Sequence, residues 1–187
     1  MTNKKLKTNQ LILCGMFSAL IAVGAFIKIP VPVVPFTLQV LFTTLAGLLL
    51  GGNLGALSAL IYMLLGLSGV PVFTEGGGLS YLLKPTFGYI IGFVLGAYVT
   101  GTIANKVDNP SFKRVIIASL SGLMIIYICG MIYYFGISHI YLGTNIGLWS
   151  LFLYCFLLVI PGDLVLCVLC SFLAVRLIPI LKRRRWE

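Results

Sequence analysis

Long uncharged apolar segments occupy most of the chain, and they constrain its fold more than any other feature. Leu11–Ile27 and Val115–Phe135 each lack a charged side chain over about the length of a membrane-spanning helix. A helix needs about 20 predominantly apolar residues to cross the roughly 30 Å hydrocarbon core of a bilayer. Inside that core the backbone must satisfy its own hydrogen bonds, which an α-helix does within one segment. The segments therefore predict helices that cross a membrane.

The composition shows how far this pattern extends along the chain. Of the 187 residues, 60% are apolar and 9% are charged, and the mean hydropathy is +1.11. Soluble domains have roughly 45–50% apolar and about 25% charged residues. We predict one all-α domain covering residues 1–187, a polytopic membrane protein with six transmembrane helices. The predicted spans are approximately Gln10–Ile27, Phe36–Gly52, Leu54–Ser68, Pro85–Asn105, Val115–Phe135 and Pro161–Leu181.

Several segments leave more than one arrangement open. The second and third predicted spans are only about 15 residues long, or about 22 Å, so they either cross the membrane or form a re-entrant pair. Gly136–Asn145 is a polar interruption, and His139 within it is expected at the membrane interface. Leu148–Ile160 is apolar but short, which fits a re-entrant segment, an interfacial segment or one end of a broken helix.

The basic residues lie beside the predicted spans. The formal net charge of +9 would suggest nucleic-acid binding in a soluble protein, but no basic surface interleaved with aromatic side chains is present, so we exclude nucleic acid as a partner. Lys and Arg mark cytoplasmic loops, and their pattern predicts that both termini are cytoplasmic. Glu75, Lys84 and Asp163 then fall on the outer side. Ten of the thirteen basic residues form three clusters: Lys4, Lys5 and Lys7; Lys106, Lys113 and Arg114; and Lys182 to Arg185.

A polar, glycine-rich stretch, Gly69–Phe93, interrupts the apolar pattern between the third and fourth predicted spans. Gly76–Gly78 leaves the backbone too free for a stable helix. Pro85 is suited to a helix restart, because the missing N–H of proline costs nothing in a first turn. Irregular backbone at membrane depth is tolerated where it is buried in protein or lines a cavity. We therefore predict that this loop covers a ligand cavity.

Asp163 is the most informative acidic residue. It follows Pro161 and lies in the first turn of the last predicted span. A carboxylate is favoured at that place by the unpaired backbone N–H groups, so a helix cap explains it. Ionisable groups in membrane segments are also expensive and usually mark a substrate path. The sequence leaves both explanations open.

Several kinds of chemistry are not supported by the sequence. The chain has no G-x-x-x-x-G-K-[ST] motif, so we expect it not to bind and hydrolyse ATP by itself. It has no H-E-x-x-H or G-x-S-x-G motif, and its single histidine leaves little for general-base catalysis. Cys167 and Cys170 form a C-x-x-C in an apolar helix, where cysteine usually acts as a small hydrophobe. We predict neither an enzyme nor a metal or cofactor site.

Short motifs recur along the chain in a definite order and spacing. They are Val34–Gln39, Gly51–Gly55, Tyr62 with Gly66, Gly69–Phe73, Gly76–Gly78, Pro85–Thr86, Gly88–Tyr89, Gly92–Phe93 and Pro161–Asp163. Together they resemble the BioY family, the biotin-binding S components of energy-coupling factor (ECF) transporters, over roughly Ala19–Ala174. The resemblance implies a six-helix protein of the cell membrane, surrounded by lipid, that captures biotin from outside. It also implies a separate coupling protein and two ATPase subunits for uptake.

The chemistry of biotin matches polar residues on these motifs. Its ureido group has two N–H donors, which a carboxylate such as Asp163 can accept in charge-assisted hydrogen bonds. Lys84 is predicted to pair with the valerate carboxylate, replacing a lysine that the family commonly has where this chain has Leu166. An ion pair between Lys84 and Glu75 is the alternative. The predicted substrate-binding residues are Asp163, Lys84, Gln39, Thr37, Glu75, Gly77, Tyr89 and Phe73, with Gln39 and Thr37 as polar partners and Tyr89 and Phe73 covering the ring.

Two sets of small residues are spaced four apart on predicted helices. Gly88, Gly92 and Gly96 allow another helix or a ligand to approach the fourth span closely. Ser18 and Ala22 form a smaller face on the first span. We predict that this second face contacts the coupling protein.

Two alternative functions remain open at this point. A self-sufficient membrane carrier or channel would use the same loops but would need no ATPase. An S component with the same fold would bind a different vitamin. Equilibrium binding of several vitamins, and the need for ATPase partners, distinguish these alternatives.

Overall fold

The chain folds into a bundle of α-helices. The computed structural model describes residues 8–29, 34–143 and 147–184. Its helices are α1 (Thr8–Phe26), α2 (Gln39–Leu50), α3 (Gly52–Leu67), α4 (Phe87–Ala104), α5 (Phe112–Ile140), α6 (Leu148–Phe152) and α7 (Ile160–Arg184). Within the described ranges α1, α4, α5 and the stretch Leu148–Leu181 are long and apolar enough to cross a membrane. The all-α, polytopic prediction is confirmed, and the six-crossing count and the cytoplasmic termini stay predictions.

The outward surface of the bundle is apolar. Ile132, Val165 and Phe172 are 68%, 59% and 58% exposed. Monomeric soluble proteins rarely expose apolar patches on this scale. These side chains are therefore suited to contact with lipid.

The helices α2 and α3 are short, as the sequence predicted. They contain 12 and 16 residues, or about 18 and 24 Å of helix. Gly51 joins them with a φ of +88°, which glycine adopts without steric cost. The chain reverses there so tightly that a Cβ added to Gly55 would lie 2.7 Å from the Gly47 Cα. The two helices therefore form a compact hairpin.

The glycines of α4 serve helix packing. A Cβ added to Gly92 would lie 2.8 Å from the Cα of Ile126, and one added to Gly96 would lie 2.8 Å from the Ile126 Cγ1. Both contacts are with α5, so the face predicted from Gly88, Gly92 and Gly96 accepts another helix rather than a ligand. Small residues allow this close approach between membrane helices.

The helix α5 is longer than the sequence predicted. It was expected to end near Phe135 with a polar interruption, but it continues to Ile140. One glycine, Gly136, costs a helix only about 1 kcal/mol, which does not stop a helix that is packed on both sides of it. Ser138 is fully buried, and the His139 ring lies 4.5 Å from the Phe135 ring one turn earlier, measured between centroids. A basic side chain in the last turn also complements the helix dipole.

The segment before α7 is one end of a broken helix, the third of the arrangements that the sequence left open. A π-helical turn, Leu153–Leu157, connects α6 to the two residues before α7. There the Leu158 N–H donates to the Leu153 carbonyl at 3.1 Å. Such π-helical turns occur frequently at functional sites. The predicted start of the last span at Pro161 agrees with the observed start to within one residue.

Two irregular segments cover one end of the bundle. One is the loop of residues 68–86, which includes a 3₁₀-helix, Leu79–Leu83, and a single bridge between Phe73 and Gly76. This confirms that Gly76–Gly78 do not form an α-helix. The other is a hairpin of two antiparallel strands, β1 (Lys28–Ile29) and β2 (Phe36–Thr37). The residues 30–33 between them lie outside the described residues.

Candidate ligand-binding site

A cavity of about 50 Å³ lies beneath the hairpin and the 68–86 loop. Its walls come from β2 and α2, the loop, and α3, α4, α5 and α7. Apolar side chains such as Ile90, Phe93 and Val159 form part of the lining. A few polar groups in an apolar cavity are typical of small-molecule sites. The polar lining residues are Thr37, Gln39, Tyr62, Thr74, Tyr81, Thr86, Tyr89, Tyr127 and Asp163.

Asp163 is the acidic residue of this lining. It is only 2% exposed, and its Oδ2 accepts a hydrogen bond of 2.6 Å from the Tyr127 hydroxyl. Its Oδ1 has no hydrogen-bond partner among the described residues. The carboxylate thus bonds a side chain of α5 rather than a backbone N–H, and the cap explanation does not describe it. A buried carboxylate oxygen without a partner is costly, which points to a ligand donor.

Gln39 and Thr37 lie in the lining, where they take part in a chain of hydrogen bonds. The Gln39 Nε2 donates to the Tyr62 hydroxyl at 2.7 Å, and that hydroxyl donates to the Val72 carbonyl at 3.1 Å. The Thr37 hydroxyl donates to the Gln39 Oε1 at 3.3 Å. Because Gln39 is only 4% exposed, these bonds fix its amide at the start of α2.

Aromatic residues of the loop form a layer over the cavity. Phe73 is 1% exposed, and its ring lies 5.4 Å from Tyr62 and 4.5 Å from Tyr81, measured between centroids. Phe73 therefore supports two lining tyrosines and is not itself among the lining residues. The Tyr81 hydroxyl bonds the Thr74 hydroxyl at 2.9 Å and accepts from Thr86 at 3.3 Å.

Tyr89 lies in the lining, and its predicted contact with the ligand ring stays a prediction. Its hydroxyl donates to the Cys155 carbonyl at 3.0 Å, a carbonyl within the π-helical turn. The ring approaches Gly130 of α5 closely, since a Cβ added there would lie 2.5 Å from ring carbons. The position of the Tyr89 ring is therefore set by the broken helix on one side and by α5 on the other.

Lys84, Glu75 and Gly77 lie in the loop but not among the lining residues. The Lys84 Nζ forms a 2.5 Å ion pair with Glu75, and the two side chains are 41% and 48% exposed. This pair is the alternative that the sequence left open for Lys84. Gly77 is packed against Val70, because an added Cβ would lie 2.9 Å from the Val70 carbonyl carbon. The ligand contacts expected of these three residues stay predictions.

The family model of the BioY family matches residues 1–183. The chain belongs to the BioY family. A "probable biotin transporter BioY" of Lysinibacillus sphaericus is 45% identical over 182 residues, covering 97% of this chain and 93% of the relative. A "biotin transporter BioY" of Thermotoga maritima is 48% identical over 123 residues, covering 65% and 72%. A crystal structure of "the S-component for biotin from an ECF-type ABC transporter" superposes with a TM-score of 0.79 at 28% identity, covering 95% and 94%.

Membership of the BioY family decides the general class of the protein. The curated relatives carry the names of transporters rather than enzymes. Four helical stretches within the described residues are long enough to span a bilayer. Together with them, membership makes this chain a multi-pass protein of the cell membrane with the S-component fold.

The cavity lining contains polar residues that the sequence analysis did not single out as site residues. Tyr62 and Thr86 belong to the motifs that carry the resemblance, so the sequence did contain a signal for their place in the lining. Tyr127 had only a weak signal: polar groups in membrane helices are expensive and tend to find partners, but α5 also has hydroxyls at Ser119, Ser121, Tyr133 and Tyr134. Thr74 and Tyr81 lie within the predicted loop, and their hydroxyl bond could not be read from their spacing.

Proposed function

We propose that this BioY protein captures biotin from the outer side of the membrane, as the substrate-binding S component of an ECF-type importer. The observation that carries the proposal is the buried Asp163 carboxylate, whose Oδ1 has no partner among the described residues. Tyr127 holds the other oxygen and so directs Oδ1 for a donor. The ureido group of biotin supplies N–H donors that a carboxylate accepts in charge-assisted bonds.

The rest of the cavity suits the rest of the biotin ring system. The Gln39 Nε2 has a second hydrogen beyond the one given to Tyr62, and it can donate to the ureido carbonyl. Tyr89, Ile90 and Phe93 offer an apolar wall for the thioether ring. The head group of biotin thus lies at the Asp163 end of the cavity and its valerate chain extends toward the loops.

The direct test is equilibrium binding to the purified protein, with biotin, thiamine and riboflavin measured in parallel. We expect biotin to bind and the other two vitamins not to bind. Binding of thiamine or riboflavin in place of biotin would keep the fold and overturn the assigned substrate.

Uptake requires further subunits in this proposal. The chain contains no P-loop motif, so we propose that a coupling protein and two ATPase subunits supply the energy. Lipid membranes that contain only this protein are expected to bind biotin without accumulating it. Accumulation in such membranes would favour the self-sufficient carrier instead.

We propose that the coupling protein contacts α1 on its open face. Ser18, predicted for that contact, is 3% exposed and donates to the Ser58 carbonyl of α3 at 2.6 Å, so it attaches α1 to its own bundle. Gly15 and Ala19 are exposed on the other side, and a Cβ added to Gly15 would meet nothing within 4 Å. Ala22 is half-buried at the edge of this face.

A pair of substitutions tests the contact face. Ala19→Leu is expected to keep biotin binding and to abolish co-purification with the coupling protein, because close helix approach requires small side chains. Val23→Leu on the same exposed helix is the matched control, since it adds only one methylene to an already branched side chain. Normal co-purification of the Ala19→Leu protein would rule out this face.

A further inference from the structure

Lys28 lies at the rim of the cavity. It begins β1 and is paired in register with Thr37 of β2, a residue of the cavity lining. Its Nζ donates to the Thr74 carbonyl at 2.9 Å, and Thr74 also belongs to the lining. The ammonium group therefore lies between the two segments that cover the site, the hairpin and the 68–86 loop.

The charge of Lys28 has no acidic counterpart within the described residues. Glu75, the acid of the 68–86 loop, is paired with Lys84. The sequence of residues 30–33, Pro-Val-Pro-Val, contains no acid. An ammonium group has three donors, and the bond to Thr74 uses only one of them. Lys28 can therefore donate to an anionic partner, whereas the charge of Lys84 is already balanced by Glu75.

The electrostatics of the cavity dictate which end of an acidic ligand reaches Lys28. Asp163 is a buried acid of the cavity lining, and a second carboxylate placed beside it would be repelled, because electrostatic interactions are strong where the dielectric constant is low. A ligand with a carboxylate on a flexible chain therefore keeps that group away from Asp163. Thr74, whose carbonyl accepts from Lys28, is a partly exposed residue of the same lining and offers such a place.

We infer that Lys28 binds the terminal carboxylate of the ligand and makes the site selective for the acid over its amide. The inference rests on the proposed function, in which the ureido group occupies the Asp163 end. Lys28, rather than Lys84, then takes the place of the lysine that is absent at Leu166.

The test compares biotin with biotinamide, whose carboxylate is capped as a neutral amide, in titrations of the purified full-length protein. Lys28→Met is expected to weaken biotin by about tenfold or more, as for the loss of a hydrogen bond to a charged group, and to leave the amide affinity unchanged. Lys28→Arg, which keeps the charge, is expected to retain most of the preference for the acid. Lys106→Met, in the connection between α4 and α5, removes a lysine far from the site and serves as the matched control.

Three results would overturn the inference. Equal losses for acid and amide in Lys28→Met would mean that Lys28 only holds the loop through Thr74. An unchanged biotin affinity would remove Lys28 from the site. A loss of acid preference in Lys84→Met but not in Lys28→Met would assign the carboxylate to Lys84. All three results leave the proposed function intact as long as the unsubstituted protein binds biotin. If the unsubstituted protein does not bind biotin, the proposed function is wrong, and the inference that rests on it is wrong as well.

Discussion

Buried polar side chains have different kinds of hydrogen-bond partner in the two halves of the bundle. We call the half beneath the hairpin and the 68–86 loop the cavity half, and the half that contains the α4–α5 connection the far half. In the far half Ser119 and Ser171 each donate to the carbonyl four residues earlier, at 3.0 and 2.7 Å, and their hydroxyls are in addition 3.5 Å apart across α5 and α7. Asn105 does reach another helix, but it donates to Leu48, a carbonyl near the end of α2.

Polar side chains of the cavity half are bonded to side chains of other elements. Tyr127 of α5 donates to Asp163 of α7, and Gln39 of α2 donates to Tyr62 of α3. A serine that donates to a carbonyl of its own helix has its donor satisfied locally. A side chain bonded to another side chain can exchange that bond for one to a ligand. The buried polar groups of the far half therefore serve helix packing, whereas those of the cavity half are available to bind a ligand.

The largest effect on binding is expected from Asp163→Asn. The substitution keeps the size of the side chain but removes a charge-assisted acceptor, typically worth about 1.5–3 kcal/mol, so biotin affinity should fall by about tenfold or more. Titration of the purified variant measures the loss, and thermal unfolding in detergent checks that the protein is folded. An unchanged affinity in a folded variant would mean that the Asp163 carboxylate does not bind the ligand, and the main evidence that the cavity half binds and the far half does not would be lost.

Gly92→Val tests the packing of α4 on α5. The added Cβ would lie 2.8 Å from the Ile126 backbone, which cannot move away without displacing α5. Overpacking of this kind costs about 1–3 kcal/mol, so we expect a lower unfolding temperature. Leu95→Val, on the exposed side of the same helix, is the matched control and should unfold near the temperature of the unsubstituted protein. Equal stability of the two variants would show that the helices tolerate separation.

Tyr127→Phe sharpens the description of the cavity half. It removes the hydroxyl that holds the Asp163 Oδ2 and keeps the aromatic ring. We expect biotin affinity to fall several-fold, by about 1 kcal/mol, because a carboxylate that is no longer held must be oriented on binding. Titration beside Asp163→Asn and the double variant gives the coupling between the two side chains. Strictly additive losses would mean that Tyr127 does not act through Asp163.

Ser171→Ala is expected to have the smallest effect. The hydroxyl is fully buried, donates to the Cys167 carbonyl of its own helix and lies 3.5 Å from the Ser119 hydroxyl, so its removal breaks no contact with the cavity lining. We expect unchanged biotin affinity and a change in stability within about 0.5–1.5 kcal/mol. Titration and thermal unfolding measure both. A marked loss of affinity would show that the far half takes part in binding.

Much of the site could be predicted from the sequence. Asp163 was identifiable because a carboxylate in a membrane segment is expensive, and the glycine-rich loop because three glycines and a proline exclude a regular helix. Thr37, Gln39 and Tyr89 belong to motifs of the family, and the structure brings all three into the lining with Asp163. Each of these signals is local, residing in one residue type or a short motif.

The tertiary structure decided which residues meet. Asp163 is bonded to Tyr127, 36 positions away, and Lys84 to Glu75 across the turn of the loop. Ser18 points toward α3 although its spacing with Ala22 suggested an open face. The physical reason is that membrane helices are apolar on all sides, so their hydrophobic pattern does not mark the inward face as it does in soluble proteins. Residue type and order alone specified the helices, the loop and the costly carboxylate, whereas the packing of small residues set how the helices are rotated and therefore what each side chain contacts.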